Sequence, residues 1–186
     1  IKEYVSKHGD VPVIVAGGIF DHNDISRFLA MGADGVQMGT RFLATEESSA
    51  TDAYKQAVVD ARPEDIVVSH RPGSPCGLPF MVIKNAPMYA STLAGRRKPC
   101  CDKGYIMTKN REGKYAVCKA QDDNEGFFCI CNGLLSSGGY NTGVEEPLYT
   151  VGVNGYRIDK VSTVHEIMKE LRGIIPSPHL ISPEAA

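Results

Sequence analysis

Two short stretches combine residue types able to bind an anion. Ala16-Gly17-Gly18 closes the apolar run "VPVIVAGG", and Gln37-Met38-Gly39-Thr40 closes "GADGVQM", one helix length further on. Glycines let backbone N–H groups approach an anion closely, Thr40 adds a hydroxyl donor, and the Gln37 amide suits the polar edge of a ring. A helix starting after Thr40 would aim its positive end at the same place. Taken singly, Gly-Gly is a turn and Gly-Thr a turn with a cap. Both at successive strand ends form a pattern that turns alone do not explain.

The elements that must hold these stretches alternate. "IKEYVSKHGD" reads as a helix closed near Gly9. "VPVIVAGG" is β-branched and continuously apolar, as in a parallel strand buried on both faces. "DHNDISRFLAMG" follows as a helix with Ile25, Phe28 and Leu29 on one face, capped by Asp21 or Asn23 and ended by Gly32. "DGVQM" is a second strand. Helix, strand, helix, strand, helix with short connections is βαβ arithmetic and implies parallel pairing. In a βα barrel both strands would end at one rim, where a phosphate commonly sits between the loops after the last two strands. Two parallel strands cannot bury themselves, so their neighbours are expected upstream of Ile1, and the sequence reads as the C-terminal part of a longer protein.

"SATDAYKQAVVDARPED" is a further helix stopped by Pro63, and "IVVS" a short strand. Residues 1–69 are therefore assigned to the barrel, 70–155 to a Gly-, Pro- and Cys-rich cap of weak periodicity, and 156–186 to a last helix and tail. In that helix Val164, Ile167, Met168 and Leu171 form the apolar stripe, and Thr163 with Glu166 makes a capping box. "SSGGYNTG" reads as a lid-like turn.

The 186 residues are 42% apolar and 23% charged, with a net charge of −2. That balance gives no reason to expect nucleic acid or an anionic membrane as partner. No apolar run reaches the roughly 18 residues that span a bilayer. Cytoplasm is the expected location, with the cysteines reduced, and a homo-oligomer is left open. Cys100-Cys101, Cys118 and Cys129-x-Cys131 do not have the spacing of zinc or iron–sulfur ligands, so no metal is expected. His8, His22, His70, His165 and His179 all read as surface histidines, and no catalytic residue is assigned.

The run "PVIVAGGIFDHNDISRFLAMGADGVQMGTRFLATEES" resembles the flavin-phosphate region of the nitronate monooxygenases, formerly 2-nitropropane dioxygenases. The flavin-dependent enoyl-acyl-carrier-protein reductases share the superfamily and much of the motif. The resemblance runs from Val11 to about Ala61 and resumes at "VNGYRIDKVSTVHEIMKEL". It implies an α/β fold, the C-terminal portion of a TIM (β/α)8 barrel that binds FMN. By the same token it places Gly17, Gly18, Gln37, Met38, Gly39 and Thr40 around the FMN phosphate. Arg41 reads equally as an FMN contact or a salt bridge on the rim. The resemblance further implies a general-base histidine on an earlier part of the barrel, outside this sequence. The implied activity is a monooxygenase oxidation of alkyl nitronates, small-molecule substrates, to carbonyl compounds and nitrite. Enoyl-thioester reduction with NAD(P)H is the alternative.

Overall fold

The computed structural model describes residues 2–9, 11–70, 73–74, 79–95, 108–109, 115–116, 129–140, 142–143 and 145–176. Helix α1 (Lys2–His8) ends at Gly9, whose φ of 121° suits glycine. Strand β1 (Ile14–Ala16) leads through α2 (His22–Ala30) into β2 (Gly35–Gln37), and the two strands pair in parallel. Their register sets Ile14 opposite Gly35 and Ala16 opposite Gln37, so both carboxyl ends finish level. Asp34 locks that register: its carboxylate accepts from Val13 N–H at 2.7 Å and its own N–H donates to Val13 O at 2.9 Å. Asp21 caps α2 by accepting from the N–H groups of Asn23 and Asp24, each at 3.0 Å.

After β2 come α3 (Thr40–Leu43), α4 (Asp52–Val59) and an antiparallel pair, β3 (Ile66–Ser69) with β4 (Phe80–Ile83). Helix α5 (Pro87–Leu93) follows, then two short strands, β5 (Thr108–Lys109) and β6 (Tyr115–Ala116), then α6 (Ile130–Ser137) and α7 (Val164–Leu171). Residues 149–151 run beside β4: Ile83 N–H donates to Tyr149 O and Val151 N–H to Met81 O. The capping box of α7 is present, with Glu166 and Thr163 exchanging hydrogen bonds.

The core lies between α3–α4, the β3–β4 pair and residues 148–151. Phe20, Ala44, Val58, Val82, Ile83, Met88 and Leu148 are all buried in it. By the area of side chain removed from water, each large member contributes about 1.5–3 kcal/mol. Strand β1 is not part of this core, contrary to the expectation of burial on both faces. Ile14 is 53% exposed, and α2 has no buried residue. A two-stranded parallel sheet has no second layer to cover it, and the described residues form no closed barrel.

Strands β4, β5 and β6 and helices α5 and α6 all lie in the stretch read as cap. Strand β4 is an unbroken apolar run paired to β3, α5 begins at Pro87 in the first turn that tolerates it, and α6 docks on the core. Ser136 and Ser137, read as part of a lid-like turn, are instead buried at the end of α6. Ser136 Oγ donates to Glu145 O and Ser137 Oγ to Leu148 O. Helix α4 stops at Val59, earlier than the expected Pro63, which opens a 3-10 turn instead. Cys76, Cys100, Cys101, Cys118, His179 and the basic cluster at 95–98 beyond Gly95 lie outside the described residues. Cys129 is buried and Cys131 half-buried.

Candidate functional site

The level ends of β1 and β2 form two facing walls. On the first, Gly17 and Gly18 have φ of 87° and 70°, a left-handed conformation that L side chains rarely adopt. On the second, Gly39 precedes α3 with a φ of −126°, outside the left-handed region. A cavity of about 380 Å³, counting its open mouth, lies between them. Gly17, Gly18, Gln37, Met38, Gly39 and Thr40 all line it, together with Ile19, Phe20, Arg41 and residues 152–154. None of the lining residues is acidic.

Residues 152–154 make a third wall that the sequence reading did not assign. Gly152 N–H donates to Thr40 Oγ1 at 2.9 Å, and Asn154 Nδ2 donates to Gly18 O at 2.8 Å. The loop thus ties both strand ends together. Its only sequence signal was the resumption of the family resemblance at Val153. A Cβ at Gly152 would stand 2.8 Å from Thr40 Oγ1, so a side chain there would displace the threonine. Accepting from Gly152 leaves the Thr40 hydroxyl hydrogen available to donate into the cavity.

The expected helix after Thr40 is one turn long, because Thr45 turns back to bond Phe42 O and then pairs with Ser162. A macrodipole needs several aligned turns, so the useful donors here are the N–H groups of Thr40 and Arg41, those of Phe42 and Leu43 being bonded to Gly39 O. Arg41 makes a salt bridge and also lines the cavity. It is 7% exposed, pairs with the buried Glu170 of α7, and lies over the Phe20 ring with its guanidinium carbon 4.5 Å from the centroid.

Arg157 also lies over Phe20, at 4.1 Å, and binds Asp21 at 2.8 Å. Burial pushes the Asp21 carboxyl up, but the N–H groups of Asp24 and Asn23 and the Arg157 guanidinium outweigh it and hold it below the ordinary carboxylate value. None of the described histidines lines the cavity. His8 bonds Tyr4 O in its own helix, His22 bonds Leu171 O at 2.9 Å, and His70 and His165 are exposed.

The family model for nitronate monooxygenase matches residues 1–173 of the 186. This chain belongs to the nitronate monooxygenase family. Among curated relatives, a protein of Staphylococcus haemolyticus described as a probable nitronate monooxygenase is 47% identical over 62 residues, 33% of this chain and 17% of that protein. Its counterpart in Staphylococcus saprophyticus is 43% identical over 61 residues, again 33% and 17%. The matched segment therefore spans only about a sixth of these relatives. Among solved structures, FabK from Thermotoga maritima superposes with a TM-score of 0.56 at 26% identity, covering 92% of this chain and 47% of FabK. A point mutant of FabK gives 0.56 at 25%, covering 91% and 42%. The nitronate monooxygenase family and the FabK likeness make the fold one of the TIM-barrel α/β type. Among the described residues, no helix is long and apolar enough to cross a membrane.

Proposed function

We propose that this chain is the flavin-phosphate-binding part of an FMN-dependent oxidoreductase, and that the whole protein oxidises alkyl nitronates to carbonyl compounds and nitrite. One observation carries the reading: a Cβ added at Gly17, Gly18 or Gly39 meets no protein atom within 4 Å. At Gly39, neither packing nor a left-handed φ calls for glycine. A bound group at that place supplies the reason, because a side chain would occupy its space. The donor set suits a phosphate: backbone N–H groups, the Thr40 hydroxyl, and no carboxylate on the walls.

Gly18 and the Gln37–Thr40 loop hold the phosphate, Gly17 shapes the approach, and the Gln37 amide reaches towards the polar edge of the ring system. Asn154 and Gly152 keep the walls at a fixed separation, so binding does not have to order them. The flavin, when bound, supplies the electron-accepting chemistry, while the protein positions it and keeps water from it. The two-stranded sheet with exposed apolar residues and the 47% coverage of FabK support a longer barrel whose remaining strands supply the general base.

The deciding experiment uses the full-length natural protein containing this sequence. It is supplied with propionate 3-nitronate or ethyl nitronate under air, then separately with crotonyl thioester and NADH or NADPH. Nitrite release without nicotinamide is the expected result. Thioester-dependent NAD(P)H oxidation with no nitrite would replace the nitronate reaction by thioester reduction. A protein that retains no flavin would remove both.

A further inference from the structure

The ion pair between Arg41 and Glu170 joins α3 to α7 across 129 residues, with side chains only 8% and 5% exposed. Buried pairs of this kind contribute little net stability compared with apolar residues of the same bulk, so stability alone is a weak reason for two charges here. Their placement suggests another. Arg41 directly follows Thr40, and its guanidinium covers the ring of Phe20, two residues after Gly18. It lines the cavity, and its buried Nε has no hydrogen-bond partner. One cation therefore touches both walls of the anion cavity, and one carboxylate holds that cation.

The wall has one hold already, the Gly152 N–H on Thr40 Oγ1, and Arg41 adds a second. Helix α3 has four residues and no side-chain cap, too short to fix Gly39 and Thr40 by itself. We propose that Glu170 is a positioning residue for the cavity. By clamping Arg41 it fixes the Gln37–Thr40 wall against the Gly17–Phe20 wall, at the separation that a phosphate-bearing cofactor requires. This rests on the flavin reading above. Helix α7 thereby becomes part of the cofactor site without touching the cofactor.

The test measures FMN affinity by quenching of flavin fluorescence on the apo form of the full-length protein, with melting temperature read in parallel. Glu170→Gln should weaken FMN binding about tenfold. The double variant Arg41→Met with Glu170→Leu removes both charges and keeps the bulk, so it should recover the melting temperature while FMN binding stays weak. Glu166→Ala, which breaks the capping box of the same helix away from the cavity, should lower the melting temperature and leave FMN affinity unchanged. Wild-type affinity in Glu170→Gln would overturn the inference. So would a double variant in which affinity and melting temperature recover together, because the pair would then act through stability alone. If the wild type binds no FMN, this inference falls together with the flavin reading. If it binds FMN and Glu170→Gln binds it equally, only this inference falls.

Discussion

Asn154 Nδ2 donates to the carbonyl oxygen of Gly18 across 2.8 Å and 136 residues of sequence. Gly18 has the left-handed backbone of a flexible turn, and this bond fixes the direction of the peptide that follows it. With Gly152 holding Thr40, the loop at 152–154 sets the distance between the two strand ends. The cavity is therefore a three-piece structure, although only two of its pieces carry a recognisable motif.

Removing the Asn154 amide should loosen the first wall. Asn154→Ala loses one neutral hydrogen bond, which costs about 1 kcal/mol of stability. Asn154→Asp loses the donor and also brings a carboxylate to a cavity proposed for phosphate. FMN affinity should fall several-fold in the alanine variant and further in the aspartate variant, most steeply at low ionic strength. Isothermal titration with FMN at two salt concentrations checks this, and equal affinities in the two variants would contradict it.

Gly39 and Gly18 should separate binding from folding. Gly39→Ala has an accessible φ and no steric neighbour, so it should leave stability unchanged or raise it by up to about 1 kcal/mol, as such substitutions do by restricting the unfolded chain. FMN retention should nonetheless drop. Gly18→Val, at a φ of 70°, should lose both stability and FMN, because a β-branched residue is strained there. Thermal melts and the flavin absorbance of purified protein give both readouts. A Gly39→Ala protein with stoichiometric FMN would count against the phosphate assignment.

The sequence signals that worked were local. Asp21 before α2, Gly9 and Gly32 after their helices, and Thr163 with Glu166 at α7 each act within one turn, so a short window contains the whole cause. Elements between residues 79 and 137 were hidden for equally specific reasons. Helix α5 has no side-chain cap, and α6 carries Gly133 in its interior, normally a mark against a helix. Strand β4 is four apolar residues with no alternation. In the site, the two glycine-bearing strand ends were legible, whereas the wall at 152–154 depends on bonds spanning 112 and 136 residues. Nothing local encodes those contacts. The burial expected of β1 failed because it depends on strands that the described residues do not include.

Asp21 makes stability depend on pH in a definite direction. Its folded carboxyl titrates below the ordinary value of about 3.9, so the stabilisation is complete above that value and is lost as pH falls through the lower folded one. Asp21→Asn keeps a good N-cap but removes the charge that binds Arg157. At neutral pH it should cost about 2 kcal/mol, as for a hydrogen bond to a charged group. Denaturant melts at stepwise lower pH should show the gap between wild type and variant closing below about pH 4. A gap that persists unchanged at pH 2 would show that Asp21 is not the group responsible.

The docking of α6 is testable at Gly133. A Cβ there would stand 2.8 Å from Leu148 Cβ and 2.8 Å from Met88 Cε, and both residues are fully buried. The glycine lets the helix approach the core closely, which explains how a helix of weak intrinsic propensity is held. Gly133→Ala should overpack this contact and cost about 1–3 kcal/mol. Leu148 meets the new methyl through its Cβ, next to the backbone, and can yield little. The thioether end of Met88 can move or be removed. Met88→Ala alone opens a cavity and should cost about 2–5 kcal/mol. The two changes together should cost less than their sum, because the new methyl enters the space that the methionine vacates. A double-mutant cycle in urea measures the coupling. Strict additivity would mean that α6 does not pack on Met88 in solution, leaving Leu148 and Ile130 as its links to the core.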